Sequence, residues 1–407
     1  MTNAQFKVIA GIDTHADTHH VALVTDYGKR LGDRKFLAVG SGYQEIAAYL
    51  TSFGPVTAVG VEGTGSYGAE LTRVLTGRGF TVREVNRPNR AERRLHGKSD
   101  PLDAYQAAES VLAERGTSTP KTRDGHVEAL RVLRTARTSA MKARTALLNQ
   151  ISGVLTSAAE EVRAKYRGMS SVARAKAMAT SRPGGDAADP VVATLVTLKR
   201  LGTRHRFLSE EIAETDAELA AIVSSRAPEL LEVNGVGTVV ASQLLVTFGD
   251  NPERMGSEAA FAALAGVAPV PASSGKTNRH RLSRGGDRQA NASLYRIVLV
   301  RMAKDARTRE YVAKRTEDGM GKKEIIRCLK RYVAREIFRV MKNPRPAPLV
   351  NDLRPLRLGL GLTQVVAANA LGCWTSTISR IERGECRDHE AIERYRSWLE
   401  KQGSESS

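Results

Sequence analysis

Apolar residues form short continuous runs in the first hundred positions and recur at helical spacing through most of the rest. Residues 7–13 (KVIAGID) and 19–25 (HHVALVT) are β-branched runs joined by a polar turn, with Tyr27 and Gly28 closing the second. That pattern predicts a hairpin. Residues 41–50 are spaced as a helix, 56–62 (VTAVGVE) as a buried strand, 67–76 as a helix and 81–85 as a further strand. Antiparallel strands followed by alternating β and α units predict an α/β layered domain over residues 1–120.

From residue 124 to about 222 the chain turns to Ala, Leu, Arg and Glu with apolar positions at helical spacing. This predicts a long helical hairpin of coiled-coil type (domain 121–225), with PGGDAAD, 183–189, as its turn. A mainly helical domain follows over 226–343, interrupted by a loop rich in Ser, Gly and Arg at 269–288. PRPAP at 344–348 reads as a stiff linker, 349–401 as a compact helical module and 402–407 as a polar tail. No internal repeat is found.

Charge narrows the function. Sixty-two Lys and Arg against 44 Asp and Glu leave a net +18, a surplus whose commonest use is attraction to nucleic acid phosphates. The 41% apolar content argues against pervasive disorder. No run approaches the ~20 apolar residues that span a bilayer, so no membrane partner is expected, and no secretory signal opens the chain. Cys328, Cys373 and Cys386 have neither disulfide-framework nor zinc-site spacing. The expected location is the bacterial cytoplasm, in association with the nucleoid. A metabolic enzyme is disfavoured; repressor, ribosomal and nuclease-like readings survive.

The candidate chemistry lies in the minority charge. Asp13 and Glu62 each end an apolar strand, and Asp100 and Asp103 in GKSDPLDA open a helix, where a spacing of three puts them on one face. Four carboxylates converging in this way can hold two divalent cations about 4 Å apart for phosphodiester chemistry, and hard oxygen ligands select Mg2+ or Mn2+. Singly, each residue reads more readily as a turn residue or helix cap; two strand-ending carboxylates together are harder to dismiss. His15, His19 and His20 have no partner motif completing a transition-metal set and are read as structural.

Farther on, LLEVNGVGTVVASQLLVTFGD places Gly235 and Gly237 between two apolar helices, the pattern of a helix-hairpin-helix whose turn amides can approach a phosphate. In AGVAPVPASSGKTNRHRLSRGGDRQAN, Ser273 and Ser274 lie among Lys276, Arg279, His280, Arg281, Arg284 and Arg288, a loop suited to gripping DNA phosphates. By composition the serines are ordinary loop residues. Tyr67 and Tyr295 are the other conceivable phosphoryl acceptors, both expected to pack in helices. In the last module, LGLTQVVAANALGCWTSTISRIERG places Thr363 as a helix cap, Ala368 at a helix crossing, Gly372 in the turn, and Ile378 and Ile381 facing inward.

GIDTHADTH, VEGTGSY and GKSDPLDA, in that order, resemble the DEDD catalytic set of the insertion-sequence-110 family of transposases, a resemblance covering about residues 7–340. It implies an RNase H-like (RuvC-like) amino-terminal domain with Asp13, Glu62, Asp100 and Asp103 as catalytic metal ligands. Residues 265–275 resemble the family's transposase-domain signature, which implies Ser274, rather than Ser273, as the nucleophile of a covalent serine–DNA intermediate. Residues 283–296 resemble the next family segment, although 289–291 stands where members often carry Leu-Arg. The family also implies a dimer or tetramer assembled through the helical middle, and a structured guide RNA that pairs with donor and target DNA. The last module resembles a Cro/repressor helix-turn-helix, implying double-stranded DNA contacts from Thr375, Ser376, Thr377 and Arg380 in the major groove. A structure-selective RuvC-like nuclease without a covalent step and a DNA-binding regulator remain the alternatives.

Overall fold

Seven consecutive buried residues make β1 (Val8–Thr14) the centre of a sheet, in a computed structural model that describes residues 6–85, 99–272, 280–281, 283, 285–343, 350–384, 386 and 389–405. β2 (Thr18–Thr25) pairs antiparallel with β1, as the hairpin pattern predicts, and β3 (Arg30–Leu37) pairs antiparallel with β2. β4 (Val56–Glu62) lies parallel to β1 on its other side, β5 (Val82–Val85) parallel to β4, and the short β6 (Thr117–Ser118) antiparallel to β5. The order is β3-β2-β1-β4-β5-β6. β3 escaped the sequence reading because it is an edge strand that buries little beyond Phe36 and carries four charged residues, a common defence of sheet edges.

Alternate residues of the strands face opposite layers. On one face Val8, Ala10, Ile12, Val21 and Leu23 pack against α1 (Gly40–Thr51) and α2 (Ala69–Gly77) through Ile46, Leu50, Leu71 and Leu75. On the other, Ile9, Ala22, Val24 and Ala58 pack against α3 (Asp100–Leu112) through Ala104, Tyr105, Ala107, Ala108 and Val111. This mixed α/β sheet is of the RNase H-like, RuvC-like class. The helix approaches closely because the floor beneath it is glycine. A Cβ on Gly11 would sit 2.1 Å from the Ala104 carbonyl oxygen and 2.2 Å from the Ala108 nitrogen, and one on Gly60 would sit 2.6 Å from Val111 Cγ2. The same compact unit takes in residues 249–254, where Asn251 Nδ2 donates to the Pro120 carbonyl (2.9 Å) and Arg254 Nε to that of Thr119 (3.1 Å).

The second unit comprises residues 124–248 and 255–407. Its long helices α4 (His126–Thr156) and α7 (Pro190–Arg226) pack along one another, with Leu147, Ile151 and Leu155 meeting Leu198 and Leu201. The predicted simple hairpin is corrected here. Two further helices, α5 (Glu160–Tyr166) and α6 (Ser171–Thr180), fill the connection, and residues 183–189 form only its last part, ending in Asp189, which caps α7. The added helices cover apolar surface that a tight turn would leave exposed; α6 packs on α7 at Gly202, whose Cβ would meet the Ala175 carbonyl at 2.6 Å.

A larger core joins the base of the long helices to α8 (Pro228–Glu232), α9 (Thr238–Phe248), α10 (Glu258–Leu264), α11 (Arg288–Lys304), α12 (Ala306–Glu317) and α13 (Lys322–Lys342). Between α10 and α11 a two-stranded ribbon pairs β7 (Val270–Pro271) with β8 (His280–Arg281). Arg134 of α4 donates to the Val239 carbonyl (2.6 Å), Ser242 Oγ (2.9 Å) and Gln243 Oε1 (2.7 Å). Burial, with repulsion from Arg137 and Arg296, pulls its pKa down to about 10.

The carboxyl-terminal module consists of α14 (Leu353–Gly359), α15 (Gln364–Leu371), α16 (Thr375–Glu382) and α17 (His389–Glu405). Each sequence signal is realised. Thr363 Oγ1 accepts from Val366 N (3.2 Å), Gly372 takes the left-handed conformation at φ 63°, ψ 37°, and Ala368, Ile378 and Ile381 are buried. Glu382 is the polar hub of the module, accepting a bidentate pair from Arg357 (2.6 and 3.1 Å), one bond from Gln364 (2.7 Å) and one from Tyr395 Oη (2.7 Å).

Two outcomes are expected. Gly11→Ala forces a methyl group into the α3 backbone and should cost about 2 kcal/mol or more, read as a lowered thermal midpoint of the sheet unit; an unchanged midpoint would refute the close-approach argument. Glu382→Ala leaves Arg357 buried without its carboxylate and should cost about 3–5 kcal/mol. Tryptophan fluorescence reports this directly, because both tryptophans of the chain, Trp374 and Trp398, lie in the module. Burial raises the Glu382 pKa but its Arg357, Tyr395 and Gln364 bonds outweigh that and hold it below the ordinary glutamate value. The stabilisation is therefore present above that value and lost as pH falls through the lower, folded-state one.

Candidate active site

Asp13 is the penultimate residue of β1 and Glu62 the last of β4. Because the two strands are parallel and Ile12 lies opposite Val61, both carboxylates emerge at the carboxyl-terminal edge of the sheet, where ligands of open α/β sheets bind. Thr14 Oγ1 donates to the Glu62 carbonyl at 2.7 Å and ties the two strand ends together. The third element is the start of α3. Ser99 is extended at φ −150°, ψ 148°, Pro101 sits in the first turn where its missing N–H costs nothing, and Asp100 and Asp103 follow one turn apart. Asp13 is 6% and Asp103 3% exposed, while Asp100 and Glu62 are half-buried.

The tightest group that comes together includes a histidine besides the carboxylates. His15 Nε2 lies 3.0 Å from Asp13 Oδ2 and 3.4 Å from Asp100 Oδ1. Among the described residues, Asp13, His15 and Asp100 offer ligand atoms that all lie within 4.8 Å of one another; Glu62, on the adjacent strand, and Asp103, on the same helix as Asp100, stand outside that group. Setting His15 aside with its neighbours is therefore corrected as to position. Its signal was available: two residues beyond a strand-ending carboxylate it shares the face of Asp13. The other two histidines are structural. His19 is fully buried and stacks on Tyr43 at 5.7 Å, and His20 Nε2 pairs with Asp33 Oδ2 at 2.7 Å, whose other oxygen accepts from Tyr105 Oη at 3.1 Å. That chain links β2, β3 and α3 beside the site, and Lys35 Nζ lies 4.0 Å from Asp100.

Burial is the main reason the Asp13 carboxyl is held above its ordinary value; repulsion from Asp103 and Asp100 adds to it, and His15 opposes it. An anion made costly by burial and by like charges is relieved by a bound cation. Carboxylate oxygens with one imidazole suit a hard or borderline divalent ion such as Mg2+ or Mn2+. The donor set fits.

In the second unit Gly235 turns the chain between α8 and α9 at φ 85°, its Cα side close against Ile297, and Gly237 faces open space while its carbonyl accepts from Val240 N and Ala241 N. The ribbon of β7 and β8 pairs Val270 with Arg281 and Pro271 with His280. Ser273, Ser274, Lys276, Arg279 and Arg284 lie outside the described residues. Arg281 and Arg288 are exposed, and Asp287 caps α11 through Gln289 N and Ala290 N while accepting from Thr247 Oγ1 (2.6 Å). A cavity of about 750 Å³ opens beside the ribbon, lined by His280, Arg281 and Ser283 and by Arg327, Lys330, Arg331 and Arg335 of α13. Lys330 donates to Asn291 Oδ1 (2.9 Å), and Asn291 Nδ2 donates to the Ala265 and Gly266 carbonyls. These α13 cations are remote from the ribbon in sequence, and only packing shows that they face it. Tyr67 and Tyr295, expected to pack, are 59% and 42% exposed. On the recognition helix α16, Thr375, Ser376 and Arg380 are exposed and Thr377 is half-buried.

The raised Asp13 pKa predicts a stability effect of definite sign. The folded state holds this proton more tightly than the unfolded chain, so stability declines as pH rises from the ordinary aspartate value through the higher, folded-state one. In chelator at pH 7, Asp13→Asn should therefore unfold at a higher temperature than the parent, and the difference should vanish below about pH 4; a less stable variant at pH 7 would contradict the electrostatic account.

Comparison with known protein families agrees with this geometry. Residues 10–159, which contain all of the carboxylates and His15, match a transposase model of DEDD type. Residues 227–313, spanning the Gly-x-Gly turn and the ribbon, match the model described as Transposase IS116/IS110/IS902 family, and residues 349–395 match that of a helix-turn-helix domain. No curated protein matches the chain. Strand-end carboxylates and two successive models of one family lead to the same conclusion: the chain belongs to the IS110 family of DNA transposases and carries a DNA-binding helix-turn-helix domain at its carboxyl end.

Proposed function

We propose that this transposase cuts and rejoins duplex DNA by cation-assisted transesterification, with Ser274 forming a covalent link to DNA and a guide RNA selecting the sites. The observation that carries the reading is the meeting of Asp13, His15 and Asp100 at the end of β1, with Asp103 one turn along the same helix and Glu62 on the adjacent strand. Asp13, Glu62, Asp100 and Asp103 are the residues that would hold Mg2+ or Mn2+, and His15 holds Asp13 and Asp100 in register. When bound, such an ion stabilises negative charge developing on phosphate oxygens.

A serine hydroxyl needs help to act as a nucleophile. Arg281 and Arg288, with Lys276, Arg279 and Arg284 of the same loop, supply positive charge for the phosphorane-like transition state. In the step itself the Ser274 Oγ–P bond forms as a sugar oxygen–P bond breaks; the serine proton leaves to a base and the departing sugar oxygen gains one. One phosphoester replaces another, so rejoining by reversal needs no ATP. Gly235 and Gly237 offer backbone amides to neighbouring phosphates, and the basic α13 side of the ribbon suits a polyanion such as DNA or structured RNA. Exposed Val132 and Phe207 on α4 and α7 suit assembly into a dimer or tetramer.

The test is incubation of the purified protein with RNA transcribed from the flanking non-coding DNA, duplex substrates and Mg2+, followed by a search for DNA covalently attached to protein. An adduct is expected, absent in Ser274→Ala and reduced at least about 100-fold in rate in Asp13→Ala. Normal recombination by Ser274→Ala would remove the serine from the mechanism. Metal-dependent junction cutting without an adduct would instead favour a RuvC-like nuclease, and sequence-specific binding without cleavage a regulator.

A further inference from the structure

Trp374 is the most exposed large apolar side chain among the described residues, at 82%. It occupies the N-cap of the recognition helix α16 in extended backbone, φ −79°, ψ 147°, and its side chain makes no capping hydrogen bond. Ser, Thr, Asp or Asn would cap that helix better, as Thr363 does for α15 in the same module. Stability of the module therefore does not account for an indole at this place. The backbone that presents it is well fixed: Gly372 is left-handed, Cys373 N donates to the Ala368 carbonyl at 3.0 Å, and Thr377 N donates to the Trp374 carbonyl at 2.8 Å.

Charge points the same way. Residues 349–407 carry eight Lys and Arg and eight Asp and Glu, so the +18 of the chain resides entirely outside them. A module without net charge gains little from counterion release, and its affinity must come more from direct contact with bases. The N-terminal end of a recognition helix is the part that meets base edges. The apolar feature presented there by the major groove is the thymine C5-methyl group.

We propose that Trp374 is a specificity-determining residue of the helix-turn-helix, its indole covering the C5-methyl of a thymine in the major groove. The inference rests on the module's binding duplex DNA. An exposed indole on a fixed backbone loses little freedom on binding, which favours this contact over one made by a long flexible chain.

The experiment selects duplexes from a random-sequence pool with the full-length protein, then measures affinity for the enriched duplex with each thymine replaced in turn by deoxyuridine, which removes only the methyl group. One replacement should weaken binding about fourfold, the loss expected from one buried methyl. Trp374→Ala and Trp374→Ser should bind roughly tenfold more weakly and be indifferent to that replacement. The serine variant, with a better cap, should melt no lower than the parent, so that weaker binding is not misfolding. Quenching of the tryptophan emission on DNA binding should be largely lost in both variants. Equal affinity of parent and variants, or no thymine whose methyl group matters, would overturn the assignment of Trp374 while leaving the module a DNA reader. A selection that enriches no sequence would overturn the DNA reading and this inference with it.

Discussion

Two missing side chains set the geometry of the amino-terminal sheet unit. At Gly11 and Gly60 the sheet offers bare backbone, and the backbone of α3 lies directly upon it. An ordinary residue at either place would hold the helix off by the thickness of a methyl group, and the carboxylates at its start would withdraw from Asp13. The close approach explains why Asp13, though on a strand designed for burial, faces Asp100 and the His15 ring. Its cost is electrostatic. A carboxylate is enclosed beside others of its kind, and the folded chain is less stable as an anion there than it would be with an amide.

Glu382 shows that burial by itself does not dictate this outcome. Both carboxylates are removed from water, yet Asp13 is pushed up and Glu382 held down. The difference lies in partners. Glu382 receives a bidentate Arg357 and two further donors, which more than compensate its desolvation, whereas Asp13 has one histidine and two repelling carboxylates. A satisfied buried charge organises the helix-turn-helix; an under-compensated one stands where we propose that the chemistry takes place.

Much of this was legible in order along the chain. The helix-turn-helix could be read almost residue by residue, from Thr363 through Gly372 to Ile381, because its caps, turn and inward positions are local and close together. The strands around Asp13 and Glu62 were legible because they are buried on both faces. β3 was not, since an edge strand with charged residues carries no apolar period, and the helices between α4 and α7 were merged into a turn because short helices lack a strong repeat. The participation of His15 was not legible from any local histidine or cysteine motif, because it rests on neighbours brought together across space, Asp13 and Asp100.

The sequence by itself determined the strongly patterned elements, the four acidic positions, the serine-bearing loop and the DNA-reading module, since each depends on local spacing that side-chain sterics and backbone hydrogen bonding translate directly. Tertiary structure alone decided which of those positions meet. Parallel pairing of β1 with β4, and the descent of α3 onto glycine, gather Asp13, His15 and Asp100 within 4.8 Å from residues up to 87 positions apart. Packing likewise turned α13 cations toward the ribbon and left Trp374 in water. Distances between remote residues, and the energy of burying their charges, follow from how layers pack, and no local pattern encodes them.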